Sequence, residues 1–414
     1  MRYLFKNACI FDGEIHWPSD SALLIENEHV VSLGPATAFD GIDAPIVDCT
    51  GLSILPGLID CHVHLCFGAE SQLLALLGQM NDAQIASRAL QNAHATLRGG
   101  VTTVRDLGGV RNVEISIRNE IRARRWLGPT ILASGRMICM TGGHGWFVGI
   151  EADGPLAVRT AVRENIKAGA DLIKMMATGG VMTPGVDPLA AHFSLEEMRA
   201  GVDEARRLGR RVASHALGRD GILNAVEAGV TSIEHGFELP QDVIERMIEA
   251  GIALVPTLSA IGVVERGDYA GIPTELAERA RRFADMHRAS VLRFYRSGGR
   301  IAMGTDAGTP LNHHGANVQE LGFMTALGID SLDALRAATS SAADLLGLAD
   351  RGRLKPLAAA DLLIVKGEIA TSLEPVIDLS SHRLVLKDEQ DIRHLLPRAG
   401  HTWNRPLALD DSPF

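Results

Sequence analysis

The sequence predicts a (β/α)8 barrel, an α/β fold of the TIM type, joined to a small β-sandwich formed by the N- and C-terminal segments. Three observations carry this: eight short apolar runs alternate with segments of helical period, glycines punctuate the alternation, and both ends of the chain have strand texture with little helical period. The chain has 414 residues, 46% hydrophobic and 22% charged, which allows a large buried core and lacks the polar bias of disorder.

The first fifty or so residues read as short strands, such as 4–11 and 21–33, broken by Asp12-Gly13 and Pro18. After Leu55-Pro56-Gly57 the alternation begins, with strands expected at 58–65, 102–107, 130–137, 172–177, 211–216, 232–236, 253–258 and 301–307. Helices are expected between them, among others at 196–208, 221–228, 242–250 and 276–296, several closed by a glycine. Residues 331–346 read as one further helix, and strand texture returns at 360–365 and 383–387 after a link at 352–356. The expected division is 1–55 plus 355–414 for the sandwich and 56–354 for the barrel. A doubly wound open sheet is the competing architecture for the same alternation.

The formal net charge is −10, and lysines and arginines are scattered, so there is no basic stripe for a phosphate backbone or an anionic membrane. Nucleic acid is not an expected partner. Residues 1–20 lack the continuous apolar core of a signal peptide, and no apolar run approaches the roughly 20 residues that span a bilayer. The five cysteines, Cys9, Cys49, Cys61, Cys66 and Cys139, form no CxxC pair and are odd in number, which fits buried, reduced thiols in a cytoplasm. Composition leaves room for a homo-oligomer.

In a barrel of this kind, reactive groups sit at the C-terminal ends of the strands, and residue types that bind metals collect there. The first strand ends in Asp60-Cys61-His62-Val63-His64, whose two imidazoles, two residues apart, point the same way. The fourth, Leu172-Ile173-Lys174-Met175-Met176, sets a lysine inside an apolar run. Burial favours the neutral amine, which can capture carbon dioxide as a carbamate; the alternative is a lysine that snorkels or pairs with an acid. The fifth strand ends in Ser214-His215, the sixth in Glu234-His235 and the eighth in Gly304-Thr305-Asp306. Each alone could be a core histidine or a helix cap, and their joint occurrence at one mouth is what points to a metal centre.

With PGLIDCHVHL, GVTTVRDLGG, SHALG, SIEHG, MGTDAG and the late GRLKPLAAADLLIV standing in this order, the chain resembles the amidohydrolase superfamily over essentially its whole length. The resemblance implies two divalent ions, most simply zinc, with cobalt, manganese or iron also suited to the ligands. His62, His64 and Asp306 would hold one ion, His215 and His235 the other, and carbamylated Lys174 would bridge them. Single-ion members, which include imidazolonepropionase and the cytosine and adenosine deaminases, lack that lysine. Two ions would share a water as metal-bridging hydroxide for attack on a carbonyl, with Asp306 moving the proton to the departing nitrogen.

Loops after the third and fourth strands, Met140-Thr141-Gly142-Gly143-His144-Gly145-Trp146 and Ala177-Thr178-Gly179-Gly180-Val181-Met182, are similar to a branch that contains Xaa-Pro dipeptidases (prolidases) and N-acyl amino acid hydrolases. His144, Gly179, Gly180 and Val181 are the candidate substrate contacts, with backbone N–H groups of the second loop offering a concavity for a carboxylate. Asp106 is expected to support the site without touching substrate. The absence of an outstanding charge in these loops favours proline or an apolar residue at the substrate's C-terminal position. Other readings of the same ligands are an imidazolonepropionase-like or deaminating hydrolase of a cyclic C–N bond, another amide or lactone hydrolase, and a metal-bearing scaffold without catalysis. No GxSxG, Walker or GxGxxG motif competes.

Overall fold

The computed structural model describes residues 2–265 and 274–392, so residues 393–414 of the expected terminal unit lie outside the described residues. The fold is mixed α/β with parallel sheets. One sheet orders the strands Leu58–Val63, Val101–Asp106 and Thr130–Ala133. The other runs Ile150–Glu151, Ile138–Cys139, Ile173–Met176, Val212–Ala216, Ser232–His235 and Ala253–Val255. Every one of these strands is parallel to its neighbours. Seven of them, including Ile173–Met176 and Val212–Ala216, are buried at every position, as strands covered on both faces must be.

Residues 301–307 lie between the two sheets but are not one continuous strand. Single parallel bridges tie Ile301 to Leu254 and Ala307 to Val63. Cys61 N donates to Met303 O at 2.8 Å, Ala302 N to Leu254 O at 3.0 Å, and Asp306 N to His62 O at 2.7 Å. Asp306 has φ 62, in the left-handed region, which interrupts extended geometry after the hydrogen bonds to the first strand have formed. Gly304 is needed for the approach: a Cβ there would meet Val255 Cγ1 at 2.3 Å and His62 Cβ at 2.9 Å. Gly304→Ala is therefore expected to lower stability by about 1–3 kcal/mol and to disturb His62, measured as an earlier thermal transition together with weaker metal uptake.

The helices follow local chemistry. Leu195–Arg207 opens on a capping box in which Ser194 and Glu197 each satisfy the other's backbone amide, and it buries Met198, Val202 and Ala205. Gly169 and Gly229 close their helices with φ 104 and 83. The single helix expected over 331–346 is two, Ser331–Ala337 and Ser340–Leu346. The break frees the Ala337 and Ala338 carbonyls, which accept from Met303 N and Ile59 N at 2.8 Å each. The chain gives up helix continuity there to cap strand amides.

At the ends of the chain, Arg2–Phe11, His16–Glu26, His29–Pro35, Ile46–Asp48, Leu52–Pro56, Leu362–Lys366, His382–Lys387 and Gln390–Asp391 form one eight-stranded sheet. Early and late segments meet where Leu52–Pro56 pairs antiparallel with Leu362–Lys366. The stretch expected as one strand over 21–33 is a hairpin turning at Asn27, which has φ 53. Pro18 does not break its strand; it falls between Trp17 and Ser21, where the register with Arg2–Phe11 shifts and no ladder amide is needed. Leu52–Pro56 leads through Gly57 straight into Leu58–Val63, which links this sheet to the strand that carries His62. The five cysteines are free and buried. Among the described residues, no helix is long and apolar enough to cross a membrane.

Candidate metal centre

Six side chains expected at strand ends, His62, His64, Lys174, His215, His235 and Asp306, line one cleft that opens to solvent. Asp306 Oδ1 lies 3.3 Å from His62 Nε2 and 3.1 Å from His64 Nε2. Donor atoms of His62, His235 and Asp306 all fall within 4.8 Å of one another. The imidazoles form a chain, with ring centroids 5.1 Å apart for His62 and His235 and 4.6 Å for His235 and His215.

The second ring nitrogen of each histidine decides what the first can do. His64 Nδ1 lies 3.0 Å from the Gly108 carbonyl and His215 Nε2 2.7 Å from the Gly179 carbonyl. A carbonyl only accepts, so these nitrogens carry the proton, and His64 Nε2 and His215 Nδ1 keep lone pairs. His235 Nδ1 faces Thr257 Oγ1 at 2.7 Å, and that hydroxyl donates to Pro256 O at 2.7 Å, so it accepts from His235 and leaves Nε2 as a donor of electrons. His62 Nδ1 meets the Glu234 carboxylate at 2.9 Å. Burial first, then neighbouring cations and imidazoles, holds His62, His215 and His235 well below the usual histidine range, in the neutral form a metal needs. Four oriented lone pairs and a carboxylate suit divalent ions of the zinc type. Thr257→Val keeps the shape but removes the partner of His235 Nδ1. It is expected to weaken metal affinity by about tenfold with little loss of fold, read by chelator competition.

Lys174 is 1% exposed, and burial brings its ammonium down to about 8 against the opposing pull of Glu234 and Asp306. The backbone is strained at this mouth: His235, Thr257 and Asp306 have φ of 72, 52 and 62, at a cost of about 1–3 kcal/mol each. Asp60 was not singled out in the sequence, yet its buried carboxylate accepts from Thr305 Oγ1 at 2.6 Å, Asn317 Nδ2 at 2.7 Å and the amides of His62 and Thr305. It binds the first strand to the loop of Asp306. Asp106 accepts from Leu65 N and Gly108 N, so it fixes the loop whose Gly108 carbonyl holds His64. Glu320, also missed, accepts from Leu258 N and Ser259 N at 2.8 and 2.7 Å and holds the turn after Thr257. The signal available for Asp60 and Asp106 was a carboxylate within an apolar strand; Glu320 left none.

Of the expected substrate contacts, His144 and Val181 line the cleft. His144 Nδ1 pairs with Thr183 Oγ1 at 2.6 Å, and its ring packs on His215 with centroids 4.5 Å apart. Gly180 gives that ring its space, since a Cβ there would meet it at 2.3 Å. Gly179 N donates to Ala190 O at 3.1 Å, so this amide is spent within the loop, and Gly179 serves the site through its carbonyl on His215. The remaining wall is apolar, with Phe67, Met137, Phe147, Met182, Phe237 and Ile261 prominent.

The profile of the amidohydrolase family matches residues 53–388. The chain belongs to the amidohydrolase family. Within it, the chain is 32% identical over 318 residues to an ochratoxinase of Aspergillus niger, an alignment covering 70% of this chain and 64% of that relative's length. Its structure is similar to that of a Xaa-Pro dipeptidase with bound methionine in the active site, with a TM-score of 0.85, 29% identity, and coverage of 94% of this chain and 99% of that one. A prolidase complexed with N-methylphosphonate-L-proline gives a TM-score of 0.86 at 28% identity, covering 94% and 99%. This amidohydrolase therefore shares its architecture with a Xaa-Pro dipeptidase and a prolidase.

Proposed function

We propose that this amidohydrolase carries two divalent ions and cleaves the amide bond of dipeptides or N-acyl amino acids, with Xaa-Pro and Xaa-hydrophobic dipeptides foremost. The observation that carries the proposal is the meeting of four oriented imidazole lone pairs, Asp306 and Lys174 in a cleft whose remaining wall is mostly apolar. In the same reading the two parallel sheets and residues 301–307 are parts of one (β/α)8 barrel, supported by the hydrogen bonds from 301–307 to both sheets and by Asp171 N donating to Ala133 O at 2.8 Å on the opposite side. The sheet of the chain ends is then the accompanying β-sandwich unit.

His62, His64 and Asp306 would hold one ion and His215 and His235 the second, and Lys174, as a carbamate, would supply a further carboxylate to them. Zinc ions held there would acidify a shared water and polarise the scissile carbonyl. Asp306 then takes the proton of the attacking water and hands it to the departing nitrogen, which an amide requires because amide anions leave badly. His144 lies one ring from His215 and is the polar contact for the substrate. The Phe67, Phe147 and Phe237 rings take up apolar side chains and exclude water from the reacting carbonyl.

The experiment is a screen of metal-reconstituted protein against Xaa-Pro, Xaa-hydrophobic, charged Xaa-Xaa and N-acyl amino acid substrates, read by release of free amino acid. Turnover confined to proline and apolar C-terminal residues is the expected result. Turnover only on charged dipeptides or on cyclic C–N bonds would refute the assignment.

A further inference from the structure

Arg105 stands on the strand Val101–Asp106 and is 2% exposed, an unusual place for a guanidinium. Its Nη2 donates to Glu234 Oε1 at 2.9 Å, Nη1 to Ser232 Oγ at 3.0 Å and Nε to the Cys61 carbonyl at 2.5 Å. Ser232 Oγ also donates to Glu234 Oε1. Glu234 is fully buried, and its other oxygen, Oε2, meets His62 Nδ1 at 2.9 Å. Three elements are thus strung together: a guanidinium from the second strand, a carboxylate from the sixth, and an imidazole from the first.

We infer that Arg105 and Glu234 are positioning residues that fix the tautomer of His62, keeping its proton on Nδ1 and its Nε2 lone pair open towards Asp306. A guanidinium has only donors, so it claims an oxygen of residue 234 whatever that residue is. A carboxylate has a second oxygen to offer His62, and only a protonated Nδ1 can meet it. This inference rests on the two-ion reading, because the nitrogen kept open is the one assigned to a metal.

The geometry gives an unusual expectation for Glu234→Gln, which preserves volume. Arg105 and Ser232 would hold the amide oxygen, so the amide NH2 would face His62 Nδ1. Nδ1 must then accept, the proton moves to Nε2, and the lone pair towards Asp306 is lost. Affinity for one ion is expected to fall by about 10- to 100-fold, the size seen when the outer partner of a liganding histidine is removed. Adding Arg105→Met should reverse this, because without the guanidinium the amide can turn its oxygen to His62. The double variant is expected to recover to within about tenfold of the wild type. A purely structural ion pair would instead make the double variant no better than Glu234→Gln.

The test has two arms. Competition with a zinc chelator is measured on the wild type, Glu234→Gln and the double variant. Nitrogen-15 spectra of histidine-labelled, metal-free protein report the protonated nitrogen of His62, assigned by its absence in His62→Gln. A wild type protonated at Nδ1, a Glu234→Gln variant protonated at Nε2 and matching loss of affinity support the inference. An unchanged tautomer in Glu234→Gln overturns it, as does affinity within twofold of wild type. If the wild type takes up no zinc, the two-ion reading falls, while the tautomer comparison still decides the roles of Arg105 and Glu234. That arm also stands alone if the double variant does not fold.

Discussion

Asp306→Asn is expected to lower kcat/KM for amide hydrolysis by about 10³-fold or more while leaving the fold intact. General acid–base contributions alone reach about 10²–10⁴-fold, and the change also removes the carboxylate that sits 3.3 and 3.1 Å from two imidazole nitrogens. Asparagine is the apt replacement because Asp306 occupies the left-handed region, which asparagine tolerates better than most residues. The thermal transition should therefore stay near that of the wild type. Steady-state kinetics, metal content and thermal unfolding on the same sample check this, and activity within tenfold of wild type would remove Asp306 from the proposed chemistry.

Lys174→Met should separate activity from stability with opposite signs. An amine buried to 1% exposure costs desolvation, so an apolar chain of similar length is expected to hold or raise the melting temperature. The same change deletes the nitrogen that would carry the carbamate, so bound metal should fall to one ion per chain or fewer and turnover by at least about 100-fold, using loss of a well-placed catalytic group as the guide. In the wild type, reconstitution with metal should be faster and more complete with bicarbonate present than in buffer freed of carbon dioxide. Full metal content and activity in Lys174→Met would refute the bridging role.

How much was legible in the sequence depended on whether a feature was local. His62 and His64, spaced by two on a strand, and Lys174, a charge inside Ile173–Met176, carry their geometry in the alternation of a strand, and all three line the cleft. The strands themselves were placed to within a few residues, because apolar runs flanked by glycine leave little choice. The failures are tertiary. Residues 331–346 keep helical period throughout, and the break falls where the Ala337 and Ala338 carbonyls accept from the Met303 and Ile59 amides, a pairing that no local pattern announces. Residues 301–307 look like a strand, yet they meet the sheets through single bridges at Ile301 and Ala307 and turn left-handed at Asp306. Arg105 and Glu234 sat in plain view within GVTTVRDLGG and SIEHG, and a charge in an apolar strand was the same signal that marked Lys174. What the sequence could not supply was that the two meet, 129 positions apart, behind His62.

The sheet built from both ends of the chain sets a timetable for folding. Ser53 Oγ finds its acceptor at Gly367, 314 positions downstream, and Leu52–Pro56 has Leu362–Lys366 as its partner strand. During synthesis the ribosome delivers the histidine-bearing first strand long before the segment that clamps the residues just ahead of it. Closure of so distant a pairing is entropically slow, and until it happens the edge at Leu52–Pro56 is open to capture by another nascent copy.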